Sequence, residues 1–210
     1  MERNLQIAKV NLKYNLLPHV VICFLFFIAA PAMMGIENLN QYQTAQVLEM
    51  FVSLFGIILF IPQFLPDQDK NIRDLLESKK ESMLKIQFIR FFVAFLSLSF
   101  IILMFLLRLK YGGCSFEFGK LFYGTMANCI FLGGLGILIY GFVDNVAVAY
   151  MVPILYYILN YGSGKKLGKF YLFTMARGSS DEKLYILIAG IIMIACGIGA
   201  RVKKVGVISN

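Results

Sequence analysis

The sequence predicts an all-α membrane protein with about six transmembrane helices. Of its 210 residues, 59% are hydrophobic and 15% charged; the mean hydropathy is +0.74; and the apolar residues gather into long runs. Ordinary soluble domains are roughly 45–50% apolar and about 25% charged. The excess apolar mass needs a solvent other than water. At about 20 residues per spanning helix, the chain holds six crossings and has no room for a separate soluble domain.

The first element expected is an interfacial segment at 2–17, ERNLQIAKVNLKYNLL. Its apolar residues make two opposed stripes on a helical wheel. A helix lying in the interface suits the lysines and the run that follows, while a short strand fits the alternation equally well. The first spanning helix, 18–36, contains VVICFLFFIAAPAMMGI. Its basic flank and Ala30-Pro31-Ala32 imitate a signal peptide with a small-residue cleavage site, but it is read as a retained span. The second helix, 46–65, carries Pro62 near its end, with Pro66 just beyond. The third, 89–109, has its apolar run from Phe91 to Leu107 between Arg90 and Arg108.

From Leu121 to Gly164 the chain stays apolar, too long for one crossing, and Asp144 is its only charged residue. A turn at Gly141 to Asn145 divides this run into helices at 121–142 and 145–161. The last helix, 183–201, precedes Lys203 and Lys204. Backbone groups in hydrocarbon must be satisfied within the segment, which makes these runs helices. The alternation of a β-barrel is absent.

Orientation follows from Lys and Arg in alternate gaps. With the N-terminus inside, the inner gaps hold twelve: Arg3, Lys9, Lys13, Lys70, Arg73, Lys79, Lys80, Lys85, Arg90, Arg201, Lys203 and Lys204. The outer gaps hold eight, among them Lys120, Lys169, Arg177 and Lys183. Both termini are therefore placed in the cytoplasm. The gap 66–90, PDQDKNIRDLLESKKESMLKIQFIR, is the longest charged stretch. Ile72, Leu75 and Leu76 stand at i, i+3 and i+4, so a short helix there presents one apolar face; a solvated loop against headgroups is the alternative. The stretch 162–182 holds an apolar patch, Phe170 to Met175, too short to span and expected to dip part-way into the outer leaflet.

Several function classes are disfavoured. The net charge of +8 comes from basic residues in the gaps rather than from a stripe on a folded face. Lipid headgroups, not nucleic acid, are the expected partner. His19 is the only histidine, no H-E-x-x-H occurs, and Cys23, Cys114, Cys129 and Cys196 lack metal-ligand spacing. Gly162-Ser163-Gly164-Lys165-Lys166 resembles a P-loop only faintly: Leu159 stands in place of the first glycine and Lys166 in place of Ser or Thr. No ATP site, metal, cofactor or enzymatic activity is expected of the chain itself. Glu49 and Asp144 fall at the predicted helix ends, which disfavours an ion-coupled carrier. Glycines 133, 134, 136 and 141, and the Ala195 and Gly199 pair, would let helices approach closely.

The arrangement resembles the membrane subunits of ABC transporters of the ABC-2 type. The resemblance is strongest over Phe60 to Phe92, FIPQFLPDQDKNIRDLLESKKESMLKIQFIRF, and weaker over Tyr171 to Gly197. The first stretch has an acidic residue after helix two, an amphipathic turn ending in Leu-Leu, a polar and basic break, and an Arg opening helix three. The break at Ser78, Lys79 and Lys80 lacks the proline the family often has, and the outer loop is more basic than usual. The resemblance implies an N-terminal interfacial helix, a coupling loop at 66–90 and an outer re-entrant stretch at 162–182. It implies that Asp69, Ile72, Arg73, Leu75 and Leu76 form a coupling helix docking on a separate ATPase subunit. It further implies two ABC ATPase subunits, a second permease subunit, identical or related, and a bacterial plasma-membrane location. The expected function is the membrane subunit of an ATP-driven exporter moving an amphipathic or hydrophobic cargo such as a peptide; the alternative is a non-transporting structural or regulatory membrane subunit.

Overall fold

The computed structural model describes residues 2–68 and 83–208. They form α1 (Glu2–Asn11), α2 (Leu17–Met34), α3 (Gln41–Met50), α4 (Phe55–Phe60), α5 (Met83–Tyr111), α6 (Phe118–Val143), α7 (Val146–Ser163) and α8 (Glu182–Ile208). No strand occurs among the described residues. Five helical stretches are long and apolar enough to cross a membrane: Gln6–Met34, Gln41–Gln68, Leu84–Tyr111, Phe118–Val143 and Glu182–Val202. Val146–Gly162 is a sixth, shorter apolar helix. The chain is an all-α, multi-pass membrane protein.

The N-terminal segment is helical, which removes the strand alternative. α1 runs through a single π turn, Leu12–Leu16, into α2, with Pro18 in the first helical turn, where no N–H is needed. α2 closes on Gly35 (φ 61), whose N–H returns to the Pro31 carbonyl. Asn40 opens α3 through a reciprocal cap with Gln43.

The second crossing is not a uniform helix. α3 and α4 are joined by a 3₁₀ turn, Val52–Leu54, and α4 continues as a 3₁₀ helix, Ile61–Gln68. Pro62 and Pro66 have no N–H to donate and disfavour a continued α ladder. This crossing and α6 form the centre of the bundle: 78% and 72% of their apolar windows are buried, against 17% for Gln6–Met34.

Glycines set the central spacing. On α6, a Cβ built at Gly134 would stand 2.7 Å from the Gly190 carbonyl oxygen of α8, and one at Gly141 would stand 2.4 Å from that of Gly197. Backbones in membranes gain dispersion by such close approach. The expected contact at Gly199 is not made among the described residues, none of which comes within 4 Å of a Cβ there. α8 uses Gly190 and Gly197 against α6 instead.

One end of the bundle gathers three connections. Asn38 N–H donates to the Gly112 carbonyl, and Ser115 N–H donates to that of Leu39. A pocket there is lined by Tyr42, Glu117, Lys120 and Met175, so the α2–α3, α5–α6 and α7–α8 connections share that end. The ends at Gln68 and Leu84 and the α6–α7 turn lie at the other, where the Tyr140 hydroxyl reaches the Phe64 carbonyl at 3.5 Å.

Candidate functional site

Between α7 and α8 the chain leaves regular helix and folds into the bundle. Tyr171, Leu172, Phe173, Thr174 and Met175 are buried, at 0–7% exposure. Non-helical backbone at membrane depth is tolerated only where protein or a wet cavity satisfies its polar groups. Leu172 shows how this is done. Its N–H donates to Asn160 Oδ1 at 2.9 Å, and its carbonyl accepts from Asn128 Nδ2 at 3.1 Å and from Lys183 Nζ. Three residues on α6, α7 and α8 thus replace the missing helical partners of one peptide unit.

Lys183 and Glu49 complete this network. Lys183 Nζ lies 2.7 Å from Glu49 Oε1 and donates to Asn128 Oδ1 at 2.8 Å. Both side chains are fully buried. Glu49 also accepts the N–H of Met175 on Oε1 and that of Ala176 on Oε2, each at 2.9 Å. The carboxylate is therefore held by a cation and two peptide donors at once, the arrangement that makes a buried charge tolerable.

Two further ion pairs lie at the opposite end. Asp67 Oδ1 is 2.8 Å from an Arg90 nitrogen, and Asp67 Oδ2 accepts from Gln87 at 2.6 Å. The same Arg90 nitrogen donates to the Gln63 carbonyl at 3.1 Å. Asp67, Gln87 and Arg90 are buried, so the roots of the second and third crossings are joined inside protein rather than in water. Asp144, in left-handed conformation at the end of α6, pairs with Arg201 of α8 at 2.6 Å. The Arg201 guanidinium also lies 5.2 Å from the centroid of the Tyr140 ring, which stacks on Phe64.

These pairs correct three sequence expectations. Glu49 does not lie at the end of the second crossing but inside it, Gln41–Gln68, near the junction of α3 with the 3₁₀ turn. Lys183, counted among outer-gap charges, is buried against it. Arg90 and Arg201, counted among inner-gap charges, are 6% and 1% exposed and act as internal partners. The expected coupling residues Asp69, Ile72, Arg73, Leu75 and Leu76 lie outside the described residues, as do Lys79 and Lys80. Asn128 and Asn160 were not singled out, although an amide inside an otherwise apolar run is the signal that marks them.

Among the described residues no group of His, Cys, Asp and Glu has the placement to hold a metal ion. His19 sits within α2, its Nδ1–H donating to the Asn15 carbonyl at 2.9 Å. Compared with known proteins, the chain matches no protein-family model, no curated protein and no solved structure.

Proposed function

We propose that the chain is the membrane-spanning permease subunit of an ATP-driven exporter, similar to the ABC-2 type, with both termini in the cytoplasm of a bacterial cell. The observation that carries this reading is the Asp67–Arg90 pair at the base of the charged segment between the second and third crossings. A segment rich in charge takes up a force applied from the aqueous phase only if its roots are fixed to the bundle. The buried pair fixes one root to the other, and one of them belongs to the central crossing. A displacement applied at residues 69–82 then moves both helices together, as a two-state element biased from outside the membrane requires.

In this reading Asp69, Ile72, Arg73, Leu75 and Leu76 dock on an ATPase subunit, of which two serve a pair of permease subunits, identical or related. The resemblance over Phe60 to Phe92 supports that assignment. An amphipathic or hydrophobic cargo such as a peptide fits the large apolar exposure of the crossings, and each of the carboxylates Glu49, Asp67 and Asp144 already holds a cation of its own chain.

The test is co-purification from the native membrane. An ATPase subunit should accompany the protein, and Ile72→Glu with Leu75→Glu should abolish the association while leaving membrane insertion intact. Retained association in that variant rejects the docking residues. Labelling of Lys79 or Lys80 by an impermeant amine reagent on intact cells rejects the topology. Assembly with other membrane proteins and no ATPase favours a structural or regulatory subunit.

A further inference from the structure

At the end of the bundle where α7 is linked to α8, a cleft of about 500 Å³ is lined by Lys169, Tyr171, Thr174, Arg177, Ser179 and Glu182. Its two cations are exposed and positioned by aromatic faces. The Lys169 ammonium lies 4.4 Å from the centroid of the Tyr185 ring, and the Arg177 guanidinium 4.4 Å from that of Tyr171. Such contacts orient a cation without neutralising it, and neither group has a carboxylate partner among the described residues. The Glu182 carboxylate, in the same cleft, accepts from the Ser179 hydroxyl.

Thr174 supplies the second, independent observation. It lines the cleft and is 6% exposed, and its hydroxyl has no hydrogen-bond partner among the described residues. The other two threonines, Thr44 and Thr125, sit in helices and donate to the carbonyls of Asn40 and Leu121. Thr174 precedes a short 3₁₀ turn and makes no side-chain cap to it. The hydroxyl oxygen is itself closed off from solvent, so a ligand oxygen in the cleft reaches it once the Thr174 side chain turns, and then supplies the partner it lacks.

We propose that this cleft binds the headgroup of a phosphoethanolamine lipid. The phosphate sits between Lys169 and Arg177 and accepts from the Thr174 hydroxyl; the ammonium lies against Glu182. Two cations and a donor match the several acceptor oxygens of a phosphate. Glu182 disfavours a purely anionic headgroup and matches a zwitterionic one. Position favours a lipid source: the cleft opens at the start of α8, where a span begins, beside Tyr171 and Tyr185, and tyrosine is enriched where spans meet headgroups. The site does not depend on any ATP-driven partner.

The experiment is native mass spectrometry of the detergent-purified protein titrated with phosphatidylethanolamine, phosphatidylglycerol or soluble phosphoethanolamine. The wild type should bind phosphatidylethanolamine at least tenfold more tightly than phosphatidylglycerol. Lys169→Ala with Arg177→Ala should weaken that binding at least tenfold, and Thr174→Val should weaken it severalfold. Glu182→Gln should bring the two lipids to near parity. Equal binding of both lipids by the wild type, or unchanged binding by the Lys169→Ala, Arg177→Ala protein, overturns the site. Soluble phosphoethanolamine binding as tightly as the lipid overturns the lipid assignment. Melting temperatures check that each variant is folded; if the double variant is not, the Thr174→Val and Glu182→Gln results decide.

Discussion

Gly56 of α4 lies directly against the backbone of Cys129 of α6, so that a Cβ at Gly56 would stand 2.1 Å from the Cys129 carbonyl oxygen. That atom is backbone and has no rotamer by which to yield. The contact joins the two most buried crossings, and no side chain fits between them.

Gly56→Ala should therefore destabilise the protein by about 1–3 kcal/mol, the usual cost of forcing extra atoms into a packed interior. Gly199→Ala is the matched control: it faces open space and should be neutral or raise stability slightly through higher helix propensity. Thermal unfolding of both variants in the same detergent measures the difference. Equal melting temperatures would contradict the close approach of α4 to α6.

The Glu49–Lys183 pair makes a sharper prediction, because removing one partner leaves the other charge buried alone. Glu49→Gln should cost about 3–5 kcal/mol. Lys183→Met should cost comparably, since Glu49 would then keep only the N–H groups of Met175 and Ala176. Combining the two should cost less than their sum, because no isolated charge remains. A double-mutant cycle by thermal unfolding measures the coupling; simple additivity would show that the two side chains do not interact.

Much of the fold was legible because hydropathy reports burial in lipid directly. The apolar runs mark the spans, and Asp144 with Asn145 marks the turn inside the long run, where the Asn145 side chain accepts from the N–H groups of Ala147 and Val148. The charged network was not legible in the same way. Charge counting treats a basic residue near a run's end as a loop residue, whereas Lys183 and Arg201 are placed by partners 134 and 57 positions away, Glu49 and Asp144. Nothing local in the sequence specifies such pairings. For Glu49 and Lys183 the cause lies in the inserted stretch at 171–175: its unpaired peptide groups call for buried donors and acceptors, and only the folded chain shows which side chains meet that need.

The Asp67–Arg90 pair separates docking from coupling under the permease reading. Asp67→Asn leaves the expected docking residues at 69–76 unchanged but releases Arg90 from its carboxylate. An ATPase subunit should still co-purify with the variant, while its stimulation by the permease falls about tenfold or more, the effect of roughly 1.4 kcal/mol of lost coupling. Unchanged stimulation would show that the buried pair transmits nothing. Loss of association would show that Asp67 contributes to docking itself.

The four cysteines report helix packing without any substitution in the network. Cys23, Cys114 and Cys129 are buried, whereas Cys196 on α8 is exposed on the outside of the bundle. Thiol reactivity depends on access as well as on ionisation, so a small lipophilic maleimide in detergent should modify one thiol per chain quickly and all four only after unfolding. Cys196→Ser should remove the fast reaction. Rapid modification of Cys129 would be the more damaging result: its sulfhydryl donates to the Val52 carbonyl, so exposure there requires the second crossing to separate from α6.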